Sequence, residues 1–288
     1  MTALRETARA KLNLTLEVLG RRGDGYHELW SLVAFAQAGD IVELEPGRDL
    51  ALTIEGPFGS ALGGGNLIIA AAEAARAKLP AIALGRFRLI KDLPVSAGLG
   101  GGSADAAATL RLLARANPGA LDRDAFTELA AGLGSDVTAC LEARAALMFG
   151  RGERVLPVAS FPPCAAVLVN PGLPLATRDV FAELNAPPLV QTADAPVAPD
   201  FSGDFDRLVD YVAARTNDLE AAAISLAPVI REILLALAQL QGARIARLSG
   251  SGPTCFALFR SLPEAETAVQ LFASAYPDWR WAVATALG

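Results

Sequence analysis

The eleven residues Pro94–Val95–Ser96–Ala97–Gly98–Leu99–Gly100–Gly101–Gly102–Ser103–Ala104 constrain this chain more than any other stretch. Four glycines and two serines fall within eight positions, between the apolar run Phe87–Arg88–Leu89–Ile90 and an Ala/Leu-rich run over Ala104–Arg115. Glycine lets a backbone turn with positive φ and approach a ligand closely. A helix N-terminus presents unpaired N–H groups at the positive end of its dipole. A strand, a glycine loop and a helix in that order make an anion site, and a nucleotide phosphate is its natural occupant. No Gly-Lys-Ser/Thr closes the loop, so it is not a Walker A sequence. Ser103 stands where a dinucleotide fingerprint has its third glycine. The alternative is a glycine-rich surface loop without a ligand, which the strand-to-helix setting disfavours.

The rest of the sequence narrows the classes. At 288 residues, 52% hydrophobic and 19% charged, the chain can bury a sizeable core and is not of disordered composition. Its 25 basic and 31 acidic residues give a net charge of −6, a poor basis for generic binding to nucleic acid or a membrane surface. No long uncharged apolar run suggests a membrane span, and Met1–Lys11 has no apolar h-region of a secretory signal. Cys140, Cys164 and Cys255 are far apart, fit no zinc spacing and suit reduced thiols in the cytoplasm. His27 is the only histidine, which excludes histidine metal clusters.

Local patterns predict a mixed α and β chain. Leu12–Val18 alternates as a half-buried strand does, and Ile41–Glu45, Leu50–Ile54, Phe87–Ile90 and Ala145–Phe149 read as further strands. Asn66 can cap a helix over Leu67–Leu79 that Pro80 stops, and helices follow over Ala104–Arg115 and Asp124–Ala131. After Gly150 the character shifts. Ala165–Asn170 opens a new strand, residues 185–200 form a proline-rich loop, and helical patterning covers 203–215 and 218–240. Arg244–Leu248 and Thr254–Phe259 read as strands around the turn Ser249–Gly250–Ser251–Gly252. A boundary near 155 divides the chain into domains 1–155 and 156–288.

Taken one at a time, the polar candidates have plain readings. Lys11 reads as a solvated base at a strand edge, and Asp136 as a first-turn helix acid. His27 reads as a hydrogen-bonding loop residue. Their order is more informative. Lys11-Leu12-Asn13-Leu14, Gly23-Asp24-Gly25-Tyr26-His27, Pro94–Ala104, Gly134-Ser135-Asp136-Val137 and Leu248-Ser249-Gly250-Ser251-Gly252 occur in sequence. Together they resemble the GHMP superfamily of galactokinase, homoserine, mevalonate and phosphomevalonate kinases over nearly the whole chain. The Ala-Lys-Leu-Asn-Leu start and the Gly-Tyr-His turn resemble those members that act on a cytidine diphosphate-linked methylerythritol.

The resemblance implies an α+β, two-domain fold. It has an N-terminal ribosomal protein S5 domain 2-like domain, a C-terminal ferredoxin-like α/β sandwich and an active site in the cleft between them. It implies transfer of the γ-phosphoryl group of ATP to the tertiary 2-hydroxyl of that substrate, with Mg²⁺, in non-mevalonate isoprenoid synthesis. By the same resemblance residues 94–104 wrap the ATP phosphates, Asp136 and Lys11 are catalytic, and Ser103 helps hold Mg²⁺. Tyr26 stacks on the cytosine, His27 hydrogen-bonds it, and Phe181 offers a second aromatic face. Asn13 lies near the acceptor sugar and diphosphate. The implied enzyme is cytoplasmic, a monomer or weak homodimer, with a small-molecule substrate and no nucleic-acid or membrane partner. An aspartate that accepts the hydroxyl proton beside a lysine that steadies the alkoxide suits a crowded alcohol. The chain departs from the family pattern at Ser135, Thr138 and Ala139, where alanine, proline and phenylalanine are usual, which puts the local helix geometry in question. Another small-molecule kinase of the superfamily and a nucleotide-binding sensor on the same fold are the alternatives. Tyr26, His27 and Phe181 speak against the first, and Lys11 with Asp136 against the second.

Overall fold

The computed structural model describes residues 3–62, 65–120, 122–191, 194–277, 279 and 281–288. Met1–Thr2 and residues 192–193 of the proline-rich stretch lie outside the described residues. The chain forms two compact units. The first comprises Met1–Ala10, Gly39–Val95 and Gly100–Ala143, the second Lys11–Ala38, Ser96–Leu99 and Arg144–Gly288.

In the first unit, strand Ala51–Glu55 runs parallel to Arg86–Ile90, which pairs antiparallel with the end of strand His27–Glu45. Val42, Leu44, Phe87 and Leu89 are buried at alternate positions, as a sheet with one covered face requires. The cover is helical: Leu67–Lys78 packs against Gly101–Ala116, followed by Arg123–Leu133 and Val137–Glu142. Asn66 caps the first of these, its side chain accepting the Ile68 N–H at 2.8 Å. The second starts at Gly101, three residues before the alanine run, so Gly101, Gly102 and Ser103 form its first turn.

In the second unit, Trp281–Leu287, Cys164–Asn170, Cys255–Phe259 and Ile245–Leu248 lie side by side, each antiparallel to the next. All of Cys164–Asn170 is buried. Val167, Val169, Phe259, Ile230, Ile233, Leu237 and Phe272 share one core with helices Val229–Ala238 and Leu262–Ala275. The start of His27–Glu45 pairs with Glu17–Arg21 and with Ala146–Gly150, which turns back into Arg154–Pro157.

Several elements differ from the local reading. Leu12–Val18 is not one strand: Leu4–Asn13 ends, and pairing resumes at Glu17. Leu14 and Thr15 both donate to the Leu32 carbonyl, which breaks the ladder, and Leu12 through Leu16 are all buried. The helical stretch 218–240 is split into Glu220–Leu226 and Val229–Ala238 because Ala227, preceding Pro228, leaves helical geometry. Residues 28–38 are strand without alternation, since Leu32–Ala36 is buried throughout.

Candidate active site

The glycine loop turns by placing alternate residues in the left-handed region: Ser96 at φ 53°, Gly98 at 72° and Gly100 at 63°. Gly100 is the N-cap of Gly101–Ala116 and no side chain caps that helix, so no capping side chain occupies the N–H groups of its first turn. That geometry fits an anionic phosphate chain.

Residues 96–99 are pinned by backbone and hydroxyl groups far away in sequence. Lys11 N–H donates to the Leu99 carbonyl at 2.8 Å, and Thr254 N–H to the Ala97 carbonyl at 3.2 Å. Ser249 Oγ donates to the Gly98 carbonyl at 3.0 Å while accepting the Asn13 N–H at 3.2 Å. A Cβ on Gly98 would lie 2.4 Å from the Ser249 carbonyl oxygen, so only glycine fits. The Ser249–Gly252 turn is itself held: buried Asn217 donates through Nδ2 to the Leu248 and Gly250 carbonyls at 2.9 and 2.8 Å. Beside it, Thr177 Oγ1 and Ser251 Oγ are 3.0 Å apart, and Asn170 Nδ2 donates to Thr254 Oγ1 at 2.8 Å.

In the first unit the helix start rests on a buried charge cluster that local sequence reading missed. Lys91 Nζ lies 2.6 Å from Asp40 Oδ2 and 2.7 Å from Asp105 Oδ2, with all three side chains nearly inaccessible. Asp40 Oδ1 also accepts the Asp92 and Leu93 N–H groups, fixing the entry to the loop. Burial pushes Asp105 up to about 7 against the attraction of Lys91, and Asp40 adds to the rise. Burial opposes the charge on Lys91, but the two carboxylates outweigh it and hold the ammonium above its usual range. A Cβ on Gly101 would stand 3.2 Å from Lys91 Nζ, so the cluster sits directly behind the helix start. The available signal was a lysine ending an apolar strand just before the loop.

Tyr26 and His27 lie at the end of a tight turn. Arg22 N–H donates to the Tyr26 carbonyl at 2.7 Å, and Tyr26 N–H to Asp24 Oδ1 at 3.1 Å. The Arg22 guanidinium bridges Asp24 and the buried Glu28. Tyr26 is exposed. The His27 ring stacks on Phe181, centroids 4.6 Å apart at 26°, so those two residues do come together. Partial burial, with Arg21 nearby, lowers the His27 pKa below 6.5 and favours the neutral imidazole.

Lys11 is not solvated: it is buried at 4% exposure, because its strand continues into the covered segment that follows. Asn13 is buried too, donating through Nδ2 to Ser31 Oγ at 2.7 Å. Asp136 occupies the N-cap position of Val137–Glu142, yet its carboxylate makes no capping hydrogen bond. The helix forms despite Ser135, Thr138 and Ala139, leaving Thr138 Oγ1 buried with no hydrogen-bond partner. Among the described residues no group of three or more His, Cys, Asp and Glu side chains could cage a metal ion.

The family model for the GHMP kinases N terminal domain matches residues 66–144, and that for GHMP kinases C terminal matches 197–278. The chain is 47% identical over 294 residues to a 4-diphosphocytidyl-2-C-methyl-D-erythritol kinase of Rhodopseudomonas palustris (strain BisB18), covering 99% of this chain and 95% of the relative. It is 47% identical over 292 residues to one from Methylorubrum extorquens, with 100% of both chains covered. A crystal structure of a 4-(cytidine 5'-diphospho)-2C-methyl-D-erythritol kinase superposes with TM-score 0.79 at 33% identity, covering 99% of each chain. A homoserine kinase from Cytophaga hutchinsonii shares the fold, with TM-score 0.71 at 16% identity, covering 100% of this chain and 95% of its own.

Proposed function

The chain belongs to the 4-diphosphocytidyl-2-C-methyl-D-erythritol kinases of the GHMP kinase family, and from that premise we propose that it phosphorylates the 2-hydroxyl of 4-diphosphocytidyl-2-C-methyl-D-erythritol with ATP. Identity of 47% over 99% of this chain carries the reading. The product belongs to non-mevalonate isoprenoid synthesis.

In this reading Pro94–Ala104 binds the ATP phosphates through the loop's backbone and the uncapped helix start. Asp136, at the N-cap position of Val137–Glu142, accepts the proton of the attacking hydroxyl. Lys11 offsets negative charge on the alkoxide, so that attack does not build an uncompensated anion. Positioning and charge neutralisation supply the rest of the barrier reduction. Mg²⁺ typically takes one or two protein oxygens together with phosphate oxygens and waters. Ser103, in the first helical turn, would hold it, and the ion would neutralise phosphate charge.

Tyr26, His27 and Phe181 are read as the cytosine site. An exposed aromatic face and a neutral imidazole suit an uncharged base. Asn13 is assigned to the acceptor's sugar and diphosphate. The domain division 1–155 and 156–288 belongs to the same reading, and the two family matches fall on either side of it. So does a cytoplasmic location; among the described residues no helix is long and apolar enough to cross a membrane.

A coupled ADP-release assay with the cytidylyl methylerythritol, homoserine and mevalonate as acceptors tests the assignment. Turnover confined to the first is expected; turnover of either other acceptor alone would reverse it.

A further inference from the structure

Arg151 lies outside every motif named above. It sits in the turn between strands Ala146–Gly150 and Arg154–Pro157. Gly150 has φ 74°, and Glu153 Oε2 accepts the Arg151 N–H at 2.7 Å. A Cβ on Gly150 would stand 3.0 Å from the Glu153 carboxylate, so that carboxylate packs closely against the turn. Leu29 pairs with Gly150 across the sheet, which brings the turn beside Tyr26. The Arg151 guanidinium carbon then lies over the Tyr26 ring, 4.9 Å from its centroid. The Tyr26 backbone is separately fixed by Asp24 and by the Arg22 N–H.

We propose that Arg151 is a positioning residue for the nucleobase end of the acceptor: it backs one face of the Tyr26 ring and holds the other ready for the base. The inference rests on the reading of Tyr26 as the cytosine platform. An exposed tyrosine must otherwise give up side-chain freedom when a base stacks on it. A planar cation already seated on one face restricts the ring beforehand. The Glu153 carboxylate, 3.9 Å from Arg151 Nε, helps keep the guanidinium in place.

Steady-state kinetics of Arg151→Gln, Tyr26→Ala and the double variant test it, with ATP and the cytidylyl methylerythritol. Arg151→Gln is expected to raise KM for the acceptor about three- to ten-fold, with kcat and KM for ATP little changed. In the Tyr26→Ala background the same change should add nothing, because the ring it supports is gone. Arg151→Lys should recover only part of the loss, since an ammonium does not stack flat. Equal effects in both backgrounds would mean that Arg151 contacts the acceptor directly, and would overturn the inference. So would an unchanged KM in Arg151→Gln when the wild type turns this acceptor over. A wild type that fails to turn it over would overturn the proposed function and the inference together.

Discussion

Gly98 and Ser249 are locked together twice: the Ser249 hydroxyl donates to the Gly98 carbonyl at 3.0 Å, and the Ser249 carbonyl leaves no room for a side chain on Gly98. Two segments 151 positions apart thus fix the shape of the glycine loop. Ser249 ties in Asn13 as well, so one hydroxyl joins three of the sequence motifs.

Gly98→Ala should therefore fail on two counts, a positive φ of 72° and an overlap with backbone atoms that cannot swing away. A loss of about 2 kcal/mol or more is expected in urea unfolding, together with weaker ATP binding. Wild-type stability in this variant would show that the loop is not clamped.

Lys91→Met leaves Asp40 and Asp105 buried without their cation. Breaking a buried ion cluster from one side costs about 3–5 kcal/mol, far more than losing a surface pair such as Arg88–Glu55. Chemical denaturation of the two variants, Lys91→Met and Arg88→Met, should separate them clearly.

Asp136→Asn should lower kcat by about 10²–10⁴ while ATP still binds. Turnover assays paired with calorimetric ATP titration read both quantities. Undiminished phosphorylation of the cytidylyl acceptor would remove Asp136 from the reaction.

Tyr26→Ala should raise KM for the acceptor well above any change for ATP. Comparable effects on both substrates would place the cytosine elsewhere.

His27 adds a pH dependence. Its pKa lies below the ordinary 6.5, so the folded protein binds fewer protons than the unfolded chain as the pH falls just under 6.5. Its contribution to stability is present above 6.5 and is lost as the pH drops through the lowered value. Acceptor KM should rise over the same acidic range as the imidazole charges, and His27→Gln should remove that rise. A profile identical in wild type and His27→Gln would refute it.

The sequence alone determined the strand–loop–helix order at Pro94–Ala104 and the caps and stops around it, such as Asn66 before Leu67–Lys78. It also determined the family, through motifs whose order survives without any knowledge of distance. These are local or linear properties: glycine content, capping chemistry and periodicity act within a few residues. What tertiary structure alone decided was every partnership across long separations. Lys11 reads as a solvated base until the fold buries it, and Lys91, Asp40 and Asp105 reveal nothing until a strand end and a helix bring them within hydrogen-bond reach. The unbroken burial of Leu32–Ala36 erases the alternation by which a strand is recognised. Ser249 on Gly98, His27 on Phe181 and Arg151 over Tyr26 depend on the packing of whole elements rather than on neighbouring residues, the last through sheet register.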